Sequence, residues 1–231
     1  IFHHITSAMQ CESGVGGVEA YNYVFDGFYN ETNPEWFQGS SYTHGACAYI
    51  LREGNIGQGF IQDVVHAPNY FHTALRNRWY GQQNDNFGNP QSLQTVAVHI
   101  YAPNRYNNIL GNVLGTTGYH TKYEAYPASA ADCDTSVFAL GFGGNCGNGT
   151  VDNAADVRTS LLRWGNYDTV NAAVRWQSSE VPTADANYPS STPATNTVPS
   201  SLFRSKKPPY WGSTIPWPPI GPDITSGNLS N

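Results

Sequence analysis

In the stretch FHTALRNRWYG, residues 71–81, His72, Arg76 and Arg78 stand together with no acidic side chain between them. The whole chain carries a net charge of −6, so this is a local island of opposite sign. A guanidinium clamps a carboxylate through two parallel hydrogen bonds, while an imidazole or ammonium nearby moves a proton. Read as extended backbone, alternation puts His72, Arg76 and Arg78 on one face and Leu75 and Asn77 on the other. A second polar group follows at His99, Arg105, His120, Lys122 and Glu124. The chemistry this suggests is handling of an acidic ligand, with His72, Arg76, Arg78 and Lys122 as the reacting groups. Tyr80 and Tyr123 would supply stacking faces, and His120 and Glu124 complete the binding set. The same residues admit a structural reading, in which Arg76 and Arg78 pair with Asp63 and Asp85 and stacked polar side chains satisfy one another.

Cation chemistry is thinly represented. Asp132 and Asp134 flank Cys133 and offer oxygen ligands to calcium, although a turn held by Asx hydrogen bonds explains them as well. His3 and His4 are adjacent, so in a strand their rings point to opposite faces. HExxH, GxSxG and a glycine-rich loop leading into a helix are all missing, which argues against a zinc protease, a serine hydrolase or a nucleotide enzyme. The expectation is no resident cofactor and no metal site, with calcium at Asp132 and Asp134 the one exception considered.

What would position these groups is a repeat. APNYFHTALRNRWYG (67–81) and APNRYNNILGNVLGT (102–116) align so that Asn69 and Asn104, Leu75 and Leu110, and Asn77 and Asn112 each fall 35 residues apart. The runs between are short, rich in strand formers and broken at Asn or Gly, without the 3.6-residue period of a helix. Similar fragments recur at 18–30, 49–65 and 160–176. Asn tolerates left-handed backbone, and identical corners that stack can link their amides into a ladder. Repeats of this kind bury their apolar faces on their neighbours. The polar loop GQQNDNFGNPQSLQ (81–94) reads as an insertion; without it the repeat shortens to 21 residues. The predicted fold is all-β, a parallel β-helix over residues 1–178 with projecting loops at 81–94, about 125–136 and 148–158. The last of these has Asp152 as the N-cap of one helical turn.

The 231 residues suffice for one large domain, and 12% charged with 13% aromatic residues suits short strands and turns rather than helical bundles. No apolar run of about 18 residues is present, so no membrane span is expected. The acidic balance disfavours nucleic acid, because phosphate binding needs clustered cations and RSKK (204–207) is the only basic cluster. IFHHITSAMQ begins as if in mid-strand, which suggests a processed or truncated piece of something longer. Cys11, Cys47, Cys133 and Cys146 lack CxxC spacing; their even number points to two disulfides and an oxidising compartment. Proximity pairs Cys133 with Cys146, leaving Cys11 with Cys47, against the alternative of four buried thiols. Sequons lie at Asn30, Asn148 and Asn228. Residues 179–231 hold 10 of the 15 prolines, so no central strand continues there. Tyr210, Trp211 and Trp217 favour an extended strap packed on the strands over a disordered linker.

NRYNNILGNVLGTTGYHTKYE (104–124), LLRWGNYDTVNAAVRW (161–176) and PWPPIGPDI (216–224) resemble the C-terminal part of large secreted bacterial proteins of the right-handed parallel β-helix, pectin-lyase-like type. The likeness is specific over roughly 100–224 and looser before it, where FHHITSAM and GVEAYNYVFDGFY look like coils of the same group. It implies a right-handed winding, an extracellular address and an association with carbohydrate, but no particular reaction. The polygalacturonase-type hydrolases of that group use clustered aspartates with His-Gly and Arg-x-Lys motifs. This chain has His44-Gly45 and Arg204-Ser205-Lys206, with no Asp pair in register. Two functions follow: a β-helix that binds or cleaves polysaccharide, or a structural subunit of a surface layer, appendage or larger complex whose partners are other protein chains.

Overall fold

The computed structural model describes residues 1–29, 37–63, 65–66, 68–85, 87–129, 132–145 and 154–224. The chain is mostly β, built on three parallel sheets that it visits in a fixed rotation. The first sheet runs Met9–Cys11, Ser41–Thr43, Phe60–Gln62, Val98–Ile100, Ser136–Leu140, with Lys122–Ala125 at its edge. The second runs Val18–Ala20, Leu51–Glu53, Thr73–Leu75, Asn108–Leu110, Leu162–Trp164. The third runs Ile56–Gly57, Arg78–Trp79, Val113–Leu114, Asn166–Asp168, closed at its edge by the antiparallel strand Ala173–Arg175. Phe2–Ile5 and Val24–Gly27 form a separate parallel pair. Among the described residues no helix is long and apolar enough to cross a membrane.

Register follows the repeat. Thr73 pairs with Asn108 and Leu75 with Leu110, both at the 35-residue offset. Each exit from the second sheet turns on a left-handed residue followed by Asn: Gly54, Arg76, Gly111 and Gly165 lead to the third sheet and Tyr21 to Val24–Gly27, all with φ between 56° and 68°. The asparagines behind them hydrogen-bond in sequence. The side-chain amide of Asn22 donates to Asn55 Oδ1, Asn55 to Asn77, Asn77 to Asn112 and Asn112 to Asn166, at 2.9–3.0 Å. A second ladder links Asn69 to Asn104 at 2.8 Å. Unpaired buried amides are costly, and here each strand corner satisfies the next.

Side chains of all three sheets meet in one apolar cluster, including Phe60, Val98 and Phe138 from the first, Ala74 and Ile109 from the second, and Trp79 and Leu114 from the third. A second cluster, with Ile61, Tyr101, Ala139 and Phe142, takes in alternate residues of the first sheet. Among the described residues of 81–94 there is no strand; Asp85 organises them by accepting the Phe87 and Asn89 amides. The short helix Ala155–Thr159 starts from Ala154, which offers no side-chain cap; the expected cap, Asp152, lies outside the described residues.

Cys11 and Cys47 are bridged, as the sequence suggested. Cys133 is fully buried and also disulfide-bonded; its expected partner Cys146, like the three sequon asparagines, lies outside the described residues. The proline-rich tail has almost no regular structure but touches the sheets throughout. Tyr188 donates to the carbonyls of Asn107 and Ser160, Leu202 N–H to Glu53, and Trp211 packs edge-on against Tyr21. Trp211 and Trp217 are half-buried rather than enclosed.

Candidate functional site

The residues singled out by their chemistry do not converge. Phe71 and Arg76 are both left-handed, so the chain turns twice within 71–76 and the assumed alternation fails there. His72 points inward, 1% exposed. Its Nδ1 meets the Arg52 guanidinium at 2.9 Å and its Nε2 the Cys47 carbonyl at 3.0 Å. Burial, reinforced by the Arg52 charge, lowers its pKa to about 3, so the ring is neutral. Arg76, also 1% exposed, is spent on the tail: it donates to the carbonyls of Val198, Pro199 and Ile220 and to both Asp223 oxygens.

Arg78 is buried, donating to the Gly115 carbonyl at 2.8 Å and lying over the Tyr80 ring. Burial lowers its pKa to about 10 and raises that of Tyr80. His120 sits close by, accepting the Thr116 amide at Nδ1, and burial holds its pKa down to about 4. Lys122 reaches the carbonyls of Asp132 and Asp134. The Asp134 carboxyl is raised to about 6, first by burial and then by the Asp132 charge, and Lys122 Nζ lies 3.9 Å from the Asp132 carboxylate. Glu124 accepts from Arg158 and Arg163, while Tyr123 donates to Glu180, which also holds Arg175. These last six residues form a charge network at the C-terminal end of the sheets. Among the described residues the ion pair of Arg76 is with Asp223, not with Asp63 or Asp85 as in the structural reading.

What the fold assembles instead is centred on Asp63. The position just after each strand of the first sheet forms a column: Glu12 follows Cys11, His44 follows Thr43, Asp63 follows Gln62 and Tyr101 follows Ile100, with Cys11, Thr43, Gln62 and Ile100 in register. The Asp63 side chain is 7% exposed, and its Oδ2 lies 3.1 Å from His44 Nδ1. His66 Nδ1 makes a very short contact with the same oxygen. Oδ1 accepts the Val65 amide at 2.8 Å. The centroids of the two imidazoles lie 3.6 Å apart, with their planes tilted by 38°.

This trio opens into a cavity of about 300 Å³ shared with Tyr29, Phe37, Gln38, Tyr42, Gln94 and Tyr101. Tyr42 OH lies 3.1 Å from His44 Nδ1, and Tyr101 OH donates to Asn145 at 2.9 Å. Burial, followed by the Asp63 charge for Tyr42 and by the Tyr42 and Asp63 charges for Tyr101, raises both phenols, so both stay protonated donors. The cavity therefore offers hydroxyl and amide hydrogen bonds, ring faces, and one buried carboxylate flanked by two imidazoles. The sequence offered His44-Gly45 and Asp63 separately; their shared position after consecutive first-sheet strands is the signal that joins them, and His66 follows Asp63 by three residues.

By contrast, Tyr49, Phe71 and Tyr106 stack face to face at 5.0–5.1 Å along the corner before the second sheet. Tyr49, at the end of this row, is exposed. Comparison of the chain with protein families, with characterised proteins and with solved structures found no match to any of them.

Proposed function

We propose that the three sheets are the faces of a right-handed parallel β-helix of pectin-lyase-like type, and that the protein acts outside the cell by binding or cleaving polysaccharide in the Asp63 cavity. The winding is supported by the fixed rotation of the chain through three parallel sheets and by their common apolar cluster. The function rests on one observation: a buried carboxylate between two imidazoles, in an open cavity lined further by three phenols, three side-chain amides and the apolar Phe37, Ile61 and Val65. Sugars are held by that mixture, with rings against CH faces and amides and hydroxyls on their OH groups. The Cys11–Cys47 bridge accords with an oxidising, extracellular setting.

The test is incubation with a panel of plant and microbial polysaccharides, read by binding and by release of reducing or unsaturated ends. Tyr29→Ala should weaken binding about tenfold by removing a ring at the cavity mouth. If no polysaccharide is bound or altered, the reading falls. A structural subunit is the second reading, favoured by the internal commitment of His72, Arg76 and Glu124. It predicts stable association between copies or with another chain, visible by sedimentation, with every polysaccharide inert.

A further inference from the structure

We infer that His44, Asp63 and His66 are a binding site for a divalent first-row transition cation of the zinc type, leaving at least one coordination position open to the cavity. The inference rests on these three side chains and stands whether or not a polysaccharide binds.

One ligand atom from each of the three side chains lies within 4.8 Å of the others, and the Nδ1 atoms of His44 and His66 both meet the same Asp63 oxygen. A tetrahedral zinc ion with bonds of about 2.0–2.1 Å holds its ligand atoms about 3.3 Å apart. The His44–Asp63 separation of 3.1 Å is close to that spacing. His66 is the ligand that must draw back slightly from the carboxylate, and it has room, since its side chain is 46% exposed. Two nitrogens and one oxygen suit zinc, cobalt or nickel and are a poor set for calcium, which takes six to eight oxygens.

The surroundings are arranged as they are around metal ligands. A coordinating carboxylate is held by a hydrogen bond to its other oxygen, and here Asp63 Oδ1 accepts the Val65 amide at 2.8 Å, leaving Oδ2 for the ion. His44 Nδ1 also faces the Tyr42 hydroxyl at 3.1 Å, a contact that a bound ion would displace. Three protein ligands with the fourth direction facing a cavity is the layout of sites that bind an exogenous molecule rather than purely structural ones. The backbone explains why the set is stable: Glu12, His44 and Asp63 are neighbours in one register column, so the sheet spaces them.

The experiment uses the full chain and Co²⁺ alone. The protein, stripped with chelator and titrated with Co²⁺, should develop visible d–d absorption that saturates at one equivalent and is displaced by Zn²⁺. His66→Ala should weaken Co²⁺ binding on the order of 100-fold or more. Asp63→Asn risks the fold because Asp63 is buried, so the decision rests on His66→Ala, whose residue is exposed; its melting curve without metal should match wild type. No saturable absorption, or equal Co²⁺ affinity in wild type and His66→Ala, would overturn the site. Because no sugar is present, failure here leaves the carbohydrate reading to its own test, and success here does not depend on it.

Discussion

Arg76 and Asp223 are 147 residues apart in the chain, and their side chains form a two-pronged ion pair at 2.6 and 2.9 Å. The arginine stands at a corner where the equivalent positions are mostly glycine, and it accepts a left-handed backbone to reach the tail. Such a conformation costs roughly 1 kcal/mol for a side chain with a Cβ. Five hydrogen bonds to the tail are the compensation.

Arg76→Gly isolates that latch, since glycine takes the same backbone without strain. Removing the guanidinium leaves the tail's carbonyls and Asp223 without their donor, at a cost of about 3 kcal/mol. For a chain of this size the melting temperature should fall by roughly 6–10 °C. Ending the chain before Val198 should lower it similarly. An unchanged melting curve in both would mean that the tail is not a strap. Asp223, half exposed, should matter less: its carboxyl is held low chiefly by hydrogen bonding to Arg76. Its contribution is thus present above the ordinary value of 3.8 and lost as pH falls through the lowered folded value.

The stacking of Asn69 on Asn104 and Asn77 on Asn112 was legible because identical corners at one offset can satisfy each other only in register. The fate of His72, Arg76 and Arg78 was not, because the alternation rule holds only for continuous extended backbone, and Phe71 and Arg76 break it. The Asp63 trio escaped for another reason. Loops of unequal length separate the strands of the first sheet, so Glu12, His44, Asp63 and Tyr101 share a column without sharing a sequence period. The pairing of Cys11 with Cys47 emerged correctly from counting, which needs no geometry.

The asparagine ladder predicts position-dependent losses. Asn77 is fully buried; its Oδ1 receives both the backbone N–H and the side-chain amide of Asn55, and its own amide donates to the Arg52 carbonyl. Asn77→Ala leaves these groups unpaired and should cost roughly 3 kcal/mol in urea unfolding. Asn22, at the end of the row and half-buried, has no ladder residue donating to it. Asn22→Ala should cost about 1 kcal/mol. Equal effects at the two positions would contradict a directional ladder.

The Cys11–Cys47 bridge joins residues 36 apart, and loop-closure entropy gives it a contribution of about 3–4 kcal/mol. A Cys11→Ala, Cys47→Ala double variant should unfold at correspondingly lower urea concentration while keeping its far-ultraviolet dichroism. A midpoint equal to wild type would show that the bridge adds no net stability to this fold.

The last prediction concerns acid. His72, His99 and His120 are enclosed, and burial lowers their pKa values to about 3, about 3 and about 4. In the unfolded chain each returns to about 6.5. The folded pKa is the lower one, so between roughly pH 6.5 and 4 the unfolded state binds protons that the folded state refuses. Stability must therefore drop as pH falls through this window, each histidine contributing up to about 1.4 kcal/mol per pH unit. Urea unfolding measured from pH 7.5 to 4.5 should give a curve flat above pH 7 and falling steeply below 6. His99, stacked on Tyr101 at 3.9 Å, is the best single probe, because phenylalanine keeps a ring in that place and cannot titrate. His99→Phe should lose one proton's worth of the slope. A slope unchanged from wild type would mean that His99 is protonated in the folded protein, and with it the claim of a neutral, buried imidazole at this position would fail.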